Sequence, residues 1–260
     1  MPLNLQIVSD LHLEFWKGKT KFNFLKPTAK TLVLLGDICC LGSADDFKTF
    51  DLFITEILPL YETIIYILGN HEFYSEQKYT MTHIIDKIKR YCSLKSDKLL
   101  LLDNDTYHLV QGSTRYLLVG TTLWTYIPPD HFDRMRGAMN DYQFIYTERG
   151  NLQPEDVTAM FTKNALYIKK QIARAKRQGL KMVLLTHHKP YAGENYDVKS
   201  YDVAYESPLN KILKAPVAMC AYGHTHQKDD RLLNGVRMFS NPKGYPKQKT
   251  GFKKGLRVSI

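Results

Sequence analysis

Five polar clusters each follow a short apolar run. Ser9-Asp10-Leu11-His12 follows residues 3–8, Gly36-Asp37 follows 31–35, Gly69-Asn70-His71-Glu72 follows 63–68, Thr186-His187-His188 follows 182–185, and Gly223-His224-Thr225-His226 follows 217–222. Carboxylate, amide and imidazole groups bind transition metals, so the chemistry these clusters point to is metal chemistry. Asp10 and His12 are two residues apart, as are His224 and His226. An extended chain sends positions i and i+2 to the same side, so each pair can grip one ion. The donors Asp10, His12, Asp37, Asn70, His187, His224 and His226 include no thiolate. That set suits Mn, Fe, Co, Ni or Zn with positions left open for water, not a closed structural zinc built from cysteines. Seven donors exceed what one ion needs. Two divalent or trivalent ions at ~3.5–4 Å, sharing one carboxylate, use them all and present a bridging hydroxide at neutral pH. Asp37, in the middle of the set, is the natural bridge.

The elements that must position these groups are legible as well. Apolar runs of this length, with two more at 98–102 and 116–119, fit strands buried on both faces. Between them lie helical stripes: Phe47, Phe50, Ile54, Ile57 and Leu58, then Met81, Ile84, Ile85, Ile88 and Cys92. Pro154 opens the clearest helix, which runs through Val157, Phe161, Ala165, Ile168, Ile172 and Ala175 to a stop at Gly179. Strand-helix alternation implies an α/β core, in which ligands bind beyond the carboxyl ends of the strands. Hairpins are expected over 107–119 and, turning at Asn234-Gly235, over 231–239, which gives the second half a more antiparallel character. Segment 126–151 shows no periodicity and reads as a functional or mobile loop. It supplies Arg134, Arg136 and Asn140 as candidate substrate contacts, with Tyr74, Trp124, Tyr126 and Tyr191 as candidate stacking rings and Lys189 as a further phosphate contact.

Composition bounds the rest. The 260 residues are 44% hydrophobic and 24% charged, which excludes a disordered chain. No apolar stretch reaches membrane-spanning length, and the first residues lack a signal-peptide pattern, so a soluble cytoplasmic protein without a membrane partner is expected. One domain over residues 1–260 is expected, since no linker divides the chain. Four cysteines without scaffold spacing suit reduced thiols that pack as small hydrophobes. The formal charge is 36 − 26 = +10, and Lys243, Lys247, Lys249, Lys253, Lys254 and Arg257 form an acid-free run. A solvated basic tail is the simpler expectation, with nucleic acid as the alternative partner although no nucleic-acid module is present. His83, His108 and His131 lie outside the clusters and are expected at the surface.

Taken in order, Asp10-x-His12, Gly36-Asp37, Gly69-Asn70-His71-Glu72, His187 and Gly223-His224-x-His226 resemble the motifs of the calcineurin-like metallophosphoesterases. The resemblance covers most of the chain. Gly69 to Tyr74, Thr122 to Thr125, Asn140 to Tyr142 and Asn241 to Tyr245 further resemble a bacterial subgroup of uncharacterised phosphoesterases. It implies a four-layer α/β/β/α sandwich, two mixed sheets flanked by helices. It further implies one metal on Asp10, His12, Asp37 and His226, and a second on Asp37, Asn70, His187 and His224. His71 is then the catalytic histidine that is not a ligand, placed to steady the phosphate or protonate the leaving oxygen, with Asn70 and His71 both near the substrate and His188 behind the ligands. The expected activity is hydrolysis of a small phosphoester, diester or monoester. A phosphoprotein phosphatase, a nuclease and a non-catalytic scaffold are the alternatives. The second block, Gly36-Asp37-Ile38-Cys39-Cys40-Leu41-Gly42, lacks the arginine of the phosphoprotein phosphatases, and His71 stands where lipid A precursor hydrolases carry arginine. Neither branch is favoured. The sequence assigns no oligomeric state.

Overall fold

A computed structural model describes residues 2–260. Among the described residues thirteen strands and five α-helices are formed. The first sheet holds β1 (Asn4–Val8), β2 (Thr31–Leu35), β3 (Thr63–Ile67) and β4 (Leu99–Leu101) in parallel, and β13 (Arg257–Ser259) pairs antiparallel with β1. Helix α1 (Ala44–Ile57) makes the crossover from β2 to β3, and α2 (Met81–Lys95) that from β3 to β4. Ser43 and Thr80 cap them, each side chain accepting a backbone N–H from the first turn.

The second sheet runs β11 (Asp229–Leu233), β12 (Val236–Ser240), β10 (Val217–Tyr222), β9 (Lys181–Thr186), β6 (Thr114–Thr121) and β5 (Asp105–Gln111). Both expected hairpins are present, as β5/β6 and β11/β12, and they lie at the two edges of the sheet. Its interior pairings are parallel. Helix α5 (Pro154–Gln178) opens with a Gln153/Asp156 capping box and ends at Gly179, whose φ of 61° suits glycine.

The layers follow from the strand period of two. In β2, Leu32 and Leu34 face α1 and α2 and pack with Phe50, Ile54, Ile84 and Ile88. Val33 and Leu35 face the other way and pack with Val183, Leu185, Met219 and Phe239 of the second sheet. In β9, Met182 and Leu184 in turn meet Ile168 and Ala175 of α5. Helices, sheet, sheet and helix thus stack as the expected four-layer sandwich, and the runs read as apolar on both faces because both faces are covered.

Segment 126–151 is more ordered than its sequence suggests. It forms α3 (Phe132–Ala138), α4 (Asp141–Phe144) and a hairpin of β7 (Tyr146–Thr147) with β8 (Gly150–Asn151), all too short to show a period. The basic run is not a free tail either. Lys243 and Gly244 donate backbone N–H groups to the carbonyls of Ser9 and Asp10, and β13 closes the sheet edge. Among the described residues no helix is long and apolar enough to cross a membrane.

Candidate metal centre

The polar clusters lie at the carboxyl ends of β1, β2 and β3 in one sheet and of β9 and β10 in the other. The backbone beyond the strands continues to pair: Asp10 and His12 donate to the carbonyls of Gly36 and Asp37, and Gly223 donates to His187. Asp10, His12, Asp37, His224 and His226 have φ between 48° and 65°, a left-handed conformation uncommon outside glycine and held here by the surrounding structure. Close backbone approach accounts for the glycines of the blocks. A Cβ on Gly69 would lie 2.3 Å from Asp37 Oδ1, and one on Gly223 would lie 2.7 Å from Asp10 Oδ2.

Besides a neighbouring group of His12, Glu14 and His71, two groups of donor atoms built from the named ligands result among the described residues, Asp10 with His12 and His226, and Asp37 with His187 and His224. Asp37 faces both, with Oδ1 3.3 Å from His187 Nε2 and Oδ2 3.9 Å from His12 Nε2. Asn70 Oδ1 joins the second group, 3.0 Å from His187 Nε2. All seven positions named from the sequence as metal ligands therefore meet in one place.

Partners outside the groups set which ring nitrogens face inward. His187 Nδ1 donates to the Leu35 carbonyl at 2.8 Å, His12 Nδ1 to Glu14 Oε1 at 2.9 Å, and His226 Nδ1 to Gln248 Oε1 at 2.8 Å. In the neutral rings each Nε2 then points a lone pair into the centre. His12 Nε2 and His226 Nε2 stand 3.1 Å apart, lone pair against lone pair. His187 Nε2 faces Asn70 Oδ1 and Asp37 Oδ1, two further acceptors. Asp10 Oδ2 and His224 Nε2 are buried without any hydrogen-bond partner. Oxygen and imidazole nitrogen atoms converging in this way suit cations, and the mixed set suits transition metals. Burial works against a second proton on His187, but the adjoining Asp37 raises its pKa to about 10. Burial and the neighbouring His188 and His187 hold His224 well below the ordinary histidine value.

His71 adjoins the donors without belonging to either group: its backbone N–H donates to Asp37 Oδ1 at 2.9 Å and its ring meets that of His12 edge to face at 4.5 Å. Its Nδ1 donates to Glu14 Oε1 at 3.1 Å, its ring stacks on Tyr74 at 4.3 Å, and its Nε2 lies 3.4 Å from the Tyr245 hydroxyl. Burial lowers its pKa, and Asp37 and Glu14 outweigh this and raise it to about 9. A cavity of about 250 Å³ opens over Asp37, Asn70 and His71, walled by Tyr74, Met139, Asn140, Tyr205, Tyr245 and Gln248.

Several sequence-based candidates lie elsewhere. Arg134 and Arg136, expected as substrate contacts, do not line this cavity: Arg134 lies over the Tyr201 ring, and Arg136 is held by Asp133, Gln153 and Glu155. Helix α3 turns both guanidiniums toward neighbouring acids and rings. Trp124 is buried against Phe73 and His188, Tyr191 against Tyr222 and Asp229, and Tyr126 packs on Phe161. Lys189 is paired with Glu206 at 2.6 Å. His188 packs behind His224. His83 and His108 are exposed, whereas His131 is buried beside Asp130.

Sequence reasoning passed over Glu14, Tyr205 and Gln248, and met Asp141 and Tyr245 only inside stretches that carry the family resemblance, without a role of their own. Glu14 had a readable signal, since it extends the two-residue spacing of Asp10 and His12.

The chain matches the calcineurin-like phosphoesterase family over residues 4–228. It is 29% identical over 281 residues to an uncharacterized protein of Acanthamoeba polyphaga mimivirus, covering 98% of this chain and 96% of that one. Among solved structures it is similar to a phosphopantetheinyl hydrolase from Mycobacterium tuberculosis, with a TM-score of 0.68 and 14% identity over 99% of this chain and 95% of the other. A dimetal phosphatase from Danio rerio gives a TM-score of 0.53 and 11% identity over 92% and 87% of the two chains.

Proposed function

This chain belongs to the calcineurin-like phosphoesterase family, a family of metal-dependent phosphoesterases, and on that premise we propose that its cavity hydrolyses small phosphodiesters in preference to phosphomonoesters. The observation that carries the preference is the cavity lining: among the described residues no lysine or arginine contributes to it, in a chain of net charge +10. A monoester near neutral pH carries about one more negative charge than a diester, and apart from His71 this wall has no cationic side chain beside the metal centre to meet it. The rings of Tyr74, Tyr205 and Tyr245 and the Met139 side chain offer apolar surface to a second ester substituent instead.

On this reading Asp10, His12, Asp37 and His226 would hold one cation, and Asp37, Asn70, His187 and His224 would hold the other. Such a pair supplies an activated water and polarises the phosphoryl oxygens. The remaining work falls to the chain. Asp37 presents one oxygen to each donor group and so fixes their separation. His71, with Nε2 on the cavity side and Tyr74 stacked against its face, delivers a proton to the departing oxygen. Tyr245, over the rings of His12 and His226, narrows the mouth.

The test compares bis(p-nitrophenyl) phosphate with p-nitrophenyl phosphate on protein loaded in turn with Mn, Fe, Co, Ni and Zn. A higher kcat/KM for the diester is expected, and a higher value for the monoester would overturn the preference.

A further inference from the structure

Resting on the phosphoesterase reading above, we propose that Glu14 is a positioning residue for the reaction, one carboxylate oxygen setting a metal-ligand histidine and the proton-delivering histidine at the same time. Glu14 Oε1 accepts from His12 Nδ1 at 2.9 Å and from His71 Nδ1 at 3.1 Å. Its second oxygen accepts the backbone N–H of Cys40 at 3.3 Å, which ties it to the loop that carries Asp37. Only 10% of the side chain is exposed, and among the described residues its ion-pair partners are these two histidines, with no lysine or arginine. A carboxylate withdrawn from water is costly unless paired and hydrogen-bonded, so its placement between two site rings calls for a reason.

The geometry supplies one. The His12 and His71 rings meet edge to face at 4.5 Å and 76°, and each is anchored through Nδ1. Their Nε2 atoms therefore point away from Glu14, that of His12 toward His226 and that of His71 toward the cavity and the Tyr245 hydroxyl. For His12 the bond fixes the tautomer whose inward nitrogen carries a lone pair, as a metal ligand requires. For His71 it fixes the ring edge that faces the leaving group. As a water oxygen forms the new bond to phosphorus and the bond to the leaving oxygen breaks, the Nε2 proton passes to that oxygen. The ring is left neutral with its Nδ1–H still on Glu14. One residue thereby sets the position of the acid relative to the first donor group.

The proposal is tested with Glu14→Ala and Glu14→Gln, the second keeping side-chain length and an acceptor oxygen if the first fails to fold. Ring-nitrogen NMR on metal-free, histidine-labelled protein reads the bonds directly: the hydrogen-bonded Nδ1–H signals of His12 and His71 should be lost in Glu14→Ala and largely kept in Glu14→Gln. With metal, phenyl methyl phosphate needs a proton on its leaving group and p-nitrophenyl methyl phosphate does not. Glu14→Ala should lower kcat for the phenyl ester at least about ten-fold more than for the nitrophenyl ester, with KM little changed and partial rescue in Glu14→Gln. Equal losses on both esters, or unaltered Nδ1 signals in Glu14→Ala, would overturn it. If the unaltered protein cleaves neither ester with any metal, the phosphoesterase reading fails, and the NMR signals still decide the position of Glu14.

Discussion

Asp141 determines which end of the Asn70 amide faces the centre. Asp141 Oδ1 accepts from Asn70 Nδ2 at 2.8 Å and from the Tyr74 hydroxyl at 2.6 Å, which leaves Asn70 Oδ1 3.0 Å from His187 Nε2. Asp141→Ala frees the amide to rotate and present its N–H₂ to a cation. Metal titration against a chromophoric chelator should show one of two sites weakened by about 10–100-fold. Unchanged affinity at both sites would remove Asp141 from this role.

Asp37 and His71 should separate metal binding from turnover. Asp37→Ala removes the oxygens that face both donor groups, and elemental analysis of the purified variant should find neither ion retained. His71→Ala leaves the donors intact, so metal content should hold while kcat falls about 10²–10⁴-fold. Full turnover by His71→Ala at saturating metal would end the acid assignment.

Glu72 joins the second and third blocks from beneath. Fully buried, it accepts the backbone N–H groups of Asp37, Ile38 and Gly69 and the Tyr66 hydroxyl at 2.6–2.9 Å. Glu72→Ala leaves these donors without partners inside the core. A stability loss of about 3 kcal/mol or more is expected from urea denaturation, and a loss within about 0.5 kcal/mol would show that water or a rearranged loop replaces the carboxylate.

Two glycines give opposite expectations for the same substitution. A Cβ at Gly69 would lie 2.5 Å from the Asp37 backbone nitrogen and 2.8 Å from the His187 ring, so Gly69→Ala must displace the centre. Lower Tm and loss of metal should accompany it. Gly137 lies in α3 with nothing within 4 Å of its would-be Cβ, and Gly137→Ala should raise stability by about 0.4–1 kcal/mol. Thermal denaturation of the pair decides both.

Removing metal should destabilise the protein, because ligands that bind only the folded state shift the unfolding equilibrium. At free metal 100 times the Kd the shift is about 2.7 kcal/mol per site. Calorimetry with and without chelator should show a Tm that rises with metal concentration, whereas a Tm independent of metal would argue against tight binding at the donors described.

The site was legible in the sequence to the extent that its residues sit at the ends of strands. The runs before Asp37, Asn70, His187 and His224 are apolar on both faces, while that before Asp10 alternates with Asn4 and Gln6, and the pattern survives in one dimension because both sheets are covered. What did not survive is partnership across distance. Asp141 is 71 residues from Asn70, and no local spacing marks it as the group that orients the amide. Arg134 and Arg136 look suited to phosphate in a list of residues, but in α3 nearer partners, Asp133 and Glu155 among them, have already taken Arg136. Tyr245 reaches the rings of His12 and His226 because Gly244, at a φ of 72°, turns the chain, and a lone glycine in a basic run does not announce that.

Each donor group draws on both sheets: Asp10 and His12 follow β1 while His226 follows β10, and Asp37 follows β2 while His187 and His224 follow β9 and β10. An ion seated in either group is therefore a rivet through the seam between the two halves of the sandwich. Starved of metal, the molecule should gape first at that rim, where β-strand ends from opposite halves would be free to slip past one another while the oily layer beneath still grips.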